Sequence, residues 1–294
     1  MLFFSVLPPS PSGSGVPVLS QIPRRGLLRL VGALGLCAAT GGTAWAQLPG
    51  PTASAWLHRA SRVGALAQRL AKIHLQLHLK VQPDDAKLAL EPSQRLVQST
   101  LDEMAKVAWP ADIASHVAQL RKQFEAVDQL VQAPPTRESA IAISNQADQM
   151  LAAAEVLFHG LERLGKAGMH PLIQACAGLR MRSQRLAKNY FLQAAGQDIA
   201  TLREQRQADL DECKRIFSTL NAAPVSNSSL RTELMAADMQ WVFFTACFGR
   251  DPDPRGLRAM AGASERLLEI ADNLTLQYEV ALKDQRSPST IPAP

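Results

Sequence analysis

Gln68-Arg69-Leu70-Ala71-Lys72 recurs, residue for residue, as Gln184-Arg185-Leu186-Ala187-Lys188. The copies stand 116 residues apart (184 minus 68). A second match lies further along. Met150-Leu151-Ala152-Ala153-Ala154-Glu155-Val156-Leu157 lines up with Leu267-Leu268-Glu269-Ile270-Ala271-Asp272-Asn273-Leu274, at an offset of 117 (267 minus 150). The near-equal offsets put the first match on the opening helix of a repeating unit and the second on its closing helix. A period this long exceeds that of a short solenoid repeat and suits two copies of a four-helix unit. The expected fold is therefore all-α: two tandem antiparallel four-helix-bundle units, about eight helices in all, with no sheet.

Working outward from the repeat, the chain reads as helix after helix with short breaks. The first unit, 53–168, carries helices from Ser54 to about Lys80, from Pro83-Asp84-Asp85 to Val107, from Ile113 to Gln132, and from the Thr136/Ser139 cap to about Leu164. Pro92 is a candidate for the true first turn of the second helix. The second unit, 169–285, carries helices over about His170–Ala195, Asp198–Ala222, Ser229–Phe248 and Pro254–Asp284. Apolar residues in the third helix (Ile113, Val117, Leu120, Phe124, Val127) recur at helical spacing. No stretch alternates apolar and polar residues with the β-branched enrichment of a strand. Short loops between long helices favour antiparallel neighbours. The Pro-rich tail, 286–294, reads as disordered.

Composition agrees. Hydrophobic residues make up 47% of the 294 and aromatics only 5%, so the core must be built from Leu, Ala, Val, Ile and Met. Residues 1–46 read as an export leader. Arg24-Arg25 precedes an apolar, Gly- and Ala-rich run, and Ala44-Trp45-Ala46 offers a cleavage site, so the mature chain is expected to begin near Gln47. The arginine pair resembles a twin-arginine signal, with the general secretory route as the alternative. The destination is the periplasm, and the mature product is expected to be soluble. Removing Arg24, Arg25 and Arg29 lowers the net charge from +5 to +2, and acidic and basic residues are interspersed, which argues against a nucleic-acid partner. Outside the leader, Cys176, Cys213 and Cys247 form no CxxC or CxxCH. One disulfide is compatible with an oxidising compartment, but buried free thiols are the expectation.

Helical geometry on the fifth helix groups Cys176, Leu179, Ser183, Leu186 and Tyr190 on one face. Arg182 and Arg185 share a flank, and Arg180 projects from the other. This cluster has no acidic partner within its own segment. It either pairs with Asp and Glu of neighbouring helices or forms an anion site, since the planar guanidinium fork suits oxyanions.

The paired segments Ala60-Ser61-Arg62-Val63-Gly64-Ala65-Leu66-Ala67-Gln68-Arg69 and Cys176-Ala177-Gly178-Leu179-Arg180-Met181-Arg182-Ser183-Gln184-Arg185 resemble the first-helix motif of the PilJ-type domain. That is the N-terminal domain of type IV pili methyl-accepting chemotaxis transducers, and the NarX-like domains of nitrate/nitrite sensor kinases share the motif. The resemblance implies a periplasmic four-helix bundle that holds a small oxyanion between first helices through motif arginines. Carried onto this chain, it makes Arg180 the first ligand candidate and Arg185 the second, with Arg182 beside them and Arg69 as the counterpart in the first copy. Gly64 stands where the first copy should carry its motif arginine. Two molecules meeting through their second copies would restore a pair of Arg180 side chains, so a homodimer is one expected partner. The membrane span and output domain of signalling members are not read in this sequence, so a membrane-bound transducer or sensor kinase is another.

The functional expectation is a sensor-like module binding a nitrate- or nitrite-like oxyanion, non-enzymatic and without a cofactor. One alternative is an envelope interaction module that docks a membrane transducer without a small ligand. A second is a metal- or haem-binding bundle, based on His74 and His78 four residues apart, with His116 and His159 on other helices. Against it, His74 can simply fill the core position that Tyr190 fills in the second copy, and the Glu-x-x-His pairs of di-iron bundles are missing. The aromatic group Trp241, Phe243, Phe244 and Phe248 is expected to pack the core of the seventh helix. No phosphate loop, nucleophile elbow or paired carboxylates suggest catalysis.

Overall fold

Helices begin where the chain supplies a cap. Thr52 Oγ1 accepts the Ala55 N–H at 3.3 Å at the head of α1 (Ala53–His78). Pro83 and Pro171 sit in the first turns of α2 (Pro83–Ala105) and α5 (Pro171–Ala194), where a missing N–H costs nothing. Thr136 and Ser139 exchange backbone-to-side-chain bonds in a full capping box at the head of α4 (Arg137–Gly165). Asn227 Oδ1 accepts the Leu230 N–H at 2.8 Å to open α7 (Ser228–Ala246). The remaining helices are α3 (Ala111–Gln132), α6 (Ala200–Asn221) and α8 (Pro254–Arg286), and a 3-10 turn over Cys247–Gly249 follows α7. The structure is a computed structural model and describes residues 52–166, 168–197, 199–224, 227–249 and 252–286. Among these the fold is all-α, with eight α-helices and no strand. The expected leader lies outside the described residues, as does the expected tail beyond Arg286.

Several boundaries differ from the sequence reading, α2 ending at Ala105 and α7 at Ala246 where Val107 and Phe248 were expected. Pro92 does not open α2 but lies inside it. The carbonyl that loses its helical N–H there belongs to Leu88, which is exposed, so water can replace the bond. The eighth helix continues to Arg286, two residues past its expected end.

In the first unit α1 packs against α2, α3 and α4, and α3 against α4. In the second, α5 packs against α6 and α8, and α7 against α8. The units meet along α1 and α5. This seam explains an unusual burial pattern. From Val63 to Gln76 every residue of α1 except Arg69 is buried, and from Ser183 to Leu192 every residue of α5 except Arg185 is buried. A helix covered on all sides must satisfy its polar side chains internally, and the repeated Gln-Arg-Leu-Ala-Lys segment supplies those polar groups.

The aromatic group on α7 is only partly core. Phe244 is buried, while Phe243 is 64% exposed. Met235, Met239, Val242 and Phe243, at helical spacing, leave an apolar stripe on the outer face of α7. The helix is apolar on more than one side, and α8 covers one of them.

Candidate ligand-binding site

The repeated segment welds the two units by reciprocal bonds. Gln68 Nε2 donates to the Ala147 carbonyl at 3.1 Å on its own unit's α4, and Gln184 Nε2 to the Ser264 carbonyl at 2.8 Å on its own α8. Positions 147 and 264 are 117 apart, so the structure keeps the register of the sequence repeat. The lysines cross over. Lys72 of the first unit donates to Ser264 Oγ at 3.0 Å and pairs with Glu265 on α8. Lys188 of the second pairs with Asp148 on α4 at 2.6 Å. This is the exchange of contacts expected across a two-fold dimer interface, here within one chain.

Burial pushes the Lys72 ammonium down to about 8, against the pull of Glu265. Burial would raise the Glu265 carboxyl, but Lys72 and Arg69 together bring it down to about 2. Lys188 is likewise lowered by burial, with Asp148 opposing. Both ammonium groups are fully buried, so each depends on its carboxylate partner.

Arginines of the motif are engaged by carboxylates on neighbouring helices. Arg69 pairs with Glu265 and donates to Ser93 Oγ at 2.8 Å. Arg185 grips Asp209 of α6 with Nε at 2.8 Å and Nη2 at 2.5 Å. Burial opposes its charge, and Asp209 more than offsets this, so the guanidinium is raised above its ordinary value. Arg182 Nε lies 3.6 Å from the same Asp209.

Arg180 is 1% exposed. Its Nε stands 2.6 Å from Asp272 Oδ1, and its Nη2 donates to Thr275 Oγ1 at 3.0 Å. Burial lowers its affinity for the proton, and Asp272 counters that. Arg62, from the other unit, donates to Asp272 Oδ2 at 3.1 Å. Beside this cluster, burial and the adjacent Arg180 push His58 down to about 4. Asp272 thus holds two guanidinium groups, one from each unit, one on each oxygen.

The counterpart end of the molecule is open. Repeat register pairs Arg180 with Gly64, Arg62 with Gly178, and Asp272 with Glu155. Gly64, Gly178 and Glu155 together line an open cavity of about 590 Å³. It lies where α1, α4, α5 and α6 meet. Leu151, Phe158 and Ile216 give it apolar walls, and Arg182 and Arg215 face it from the α5 and α6 side. Arg215 makes an exposed pair with Glu212 one turn away.

Of the four arginines expected to bind a ligand, the structure brings Arg182 and Arg185 together around Asp209 and sets Arg182 on the cavity. Arg180 is on the far side of the seam, with Asp272, and Arg69 is with Glu265. The aligned segments already contained the signal for the cavity. They show glycine opposite arginine twice, at 64/180 and 178/62, and a carboxylate at both 155 and 272.

The histidines are not gathered. His74 is buried at the position equivalent to Tyr190 and meets Ser139 Oγ at 2.8 Å, while His78 Nδ1 meets the Pro135 carbonyl at 3.0 Å. Among the described residues, no group of three or more His, Cys, Asp or Glu is placed to hold a metal. Cys176, Cys213 and Cys247 are buried thiols that form no disulfide with one another. Burial pushes the first two thiols up to about 12, leaving them inert as nucleophiles. No described helix is long and apolar enough to cross a membrane. No family model matches the chain, and neither a curated protein nor a solved structure matches it.

Proposed function

We propose that this protein is a non-enzymatic, sensor-like binding module of the periplasm, related to PilJ-type domains, that takes a small ligand carrying an oxyanion group. Nitrate and nitrite are the smallest members of that class. The observation that carries this reading is the cavity on the seam between the two first helices, with Arg182 and Arg215 on its wall. Its volume of about 590 Å³ suits a small organic molecule, with room for more than a bare triatomic anion. Arg180 is less available, because an incoming anion would have to displace Asp272 from a buried guanidinium. Arg215 is different. Its pair with Glu212 is exposed, and such pairs contribute little, so a ligand anion can replace it.

Calorimetry of the purified protein against nitrate, nitrite and a panel of small carboxylates tests the proposal. Binding of at least one, weakened in both Arg182→Ala and Arg215→Ala, is expected. Arg185 keeps its hold on Asp209 in the first variant, so the fold is preserved. No binding by any member of the panel, or binding indifferent to both arginines, overturns it.

The apolar stripe on α7 favours a second reading, an interaction module that docks a membrane-bound transducer or a second copy of the chain. Met239→Glu is expected to abolish such docking in a cross-linking assay and leave the calorimetric titrations unchanged.

A further inference from the structure

The cavity lies at the repeat-register counterpart of the cluster that Arg180 and Arg62 form with Asp272. At the Asp272 end, Arg180 and Arg62 converge on one carboxylate, one on each oxygen. At the equivalent end, both positions are glycine, the carboxylate is Glu155, and the volume opens. Glu155 is exposed on the rim of that cavity, and its charge acts on the Arg185 guanidinium, which Asp209 already holds. Glu155 is one methylene longer than Asp272 and lines the cavity with both glycines.

We propose that Glu155 receives a guanidinium group from a small ligand, which substitutes for the side chains missing at Gly64 and Gly178. This deepens the reading above and rests on the same cavity. With Arg182 and Arg215 on the opposite wall, the ligand class is a small molecule carrying a guanidinium at one end and a carboxylate at the other. A planar guanidinium matches a carboxylate in two-point geometry, as Arg185 on Asp209 illustrates with the protein's own side chains. The apolar residues Leu151, Phe158 and Ile216 flank the space between the two charged ends and suit an aliphatic linker.

The experiment is calorimetry of the whole purified chain with three probes: arginine, agmatine (guanidinium without carboxylate) and citrulline (carboxylate with an uncharged isostere of the guanidinium). Arginine is expected to bind about tenfold or more tighter than citrulline, since a charge-assisted bond is lost. Glu155→Gln is expected to weaken arginine and agmatine by a similar factor and to leave citrulline unchanged. Gly64→Arg rebuilds the missing side chain and is expected to abolish binding of all three. An added Cβ at Gly64 comes within 2.8 Å of Leu151 Cδ1, the far end of a flexible side chain that can move aside.

Equal affinity for arginine and citrulline, or arginine binding unaffected by Glu155→Gln, overturns the inference. The two failures are separable. Citrulline or a simple carboxylate that binds through Arg182 and Arg215 while Glu155→Gln changes nothing sinks only the guanidinium site. Agmatine that binds through Glu155 while no oxyanion binds sinks only the oxyanion reading.

Discussion

Asp272 and Glu155 hold the same register place on the closing helices of their units and have opposite surroundings. Asp272 is clamped by Arg180 and Arg62 in a closed cluster with His58 and Thr275 at hand. Glu155 faces two glycines across an open cavity. The same register place thus holds a buried ion cluster at one end of the seam and an open, glycine-lined cavity at the other. Glycine stands opposite arginine at both 64/180 and 178/62, so the difference in side chains accompanies the difference in surroundings.

The sharpest way to break this comparison is to remove each carboxylate in turn. Asp272→Ala leaves a buried guanidinium without its partner and is expected to cost about 3–5 kcal/mol. Glu155→Ala, at an exposed position where water screens its charge, is expected to change stability by under about 0.5 kcal/mol. Urea unfolding of both variants measures the two costs, and equal costs would show that the two ends are not different in kind.

The lysines that cross the seam offer a next, somewhat smaller test. Glu265→Gln strips the partner from fully buried Lys72 and is expected to cost about 3 kcal/mol. Glu265 itself is partly exposed, so water can moderate the loss. The acid dependence follows from the same pair. An unfolded glutamate titrates near 4.5 and Glu265 near 2 when folded. Between these values the unfolded chain binds the extra proton, so stability falls as pH drops from about 4.5 to about 2. Thermal unfolding across that window is expected to show a shallower slope in Glu265→Gln than in the parent protein.

The smallest effect concerns Cys176, which lies beside Arg180 at the closed end. At pH 8 the folded protein is expected to show almost no reaction with a disulfide reagent at any of the three buried thiols. Asp272→Ala is expected to speed labelling at Cys176 ahead of Cys213, and labelling rates read by mass spectrometry check this. Uniform acceleration of both would mean the variant loosens the whole bundle and not the closed end alone.

Much of the fold was legible in the chain. The duplication, the helix cap at Thr136 and Ser139 and the break at Pro83 are local features, and local backbone physics acts on them directly. Pro92 misled because a proline is tolerated inside a helix where its freed carbonyl faces water, and exposure at Leu88 is a tertiary fact. Phe243 misled in the opposite direction. Its aromatic neighbours suggest a core, but which side of an evenly apolar helix is buried depends on what packs there. The motif arginines were visible as a cluster, yet their partners Asp209, Asp272 and Glu265 lie on other helices and had to be brought close by folding.

By itself, the sequence determined that this chain is a helical protein with the same polar segment repeated 116 residues apart, and that Gly64 stands opposite Arg180 in that register. Hydrophobic periodicity, caps and repeat spacing settle such questions within a few turns of the chain. Only the tertiary structure decided that the two copies join through their first helices, that Lys72 and Lys188 exchange partners across the seam, and that the two glycines open one cavity beside Glu155. Those outcomes depend on contacts between residues far apart in the chain, 40 positions for Lys188 with Asp148 and 193 for Lys72 with Glu265, and the burial of charge on α1 and α5 has no meaning until both helices are covered.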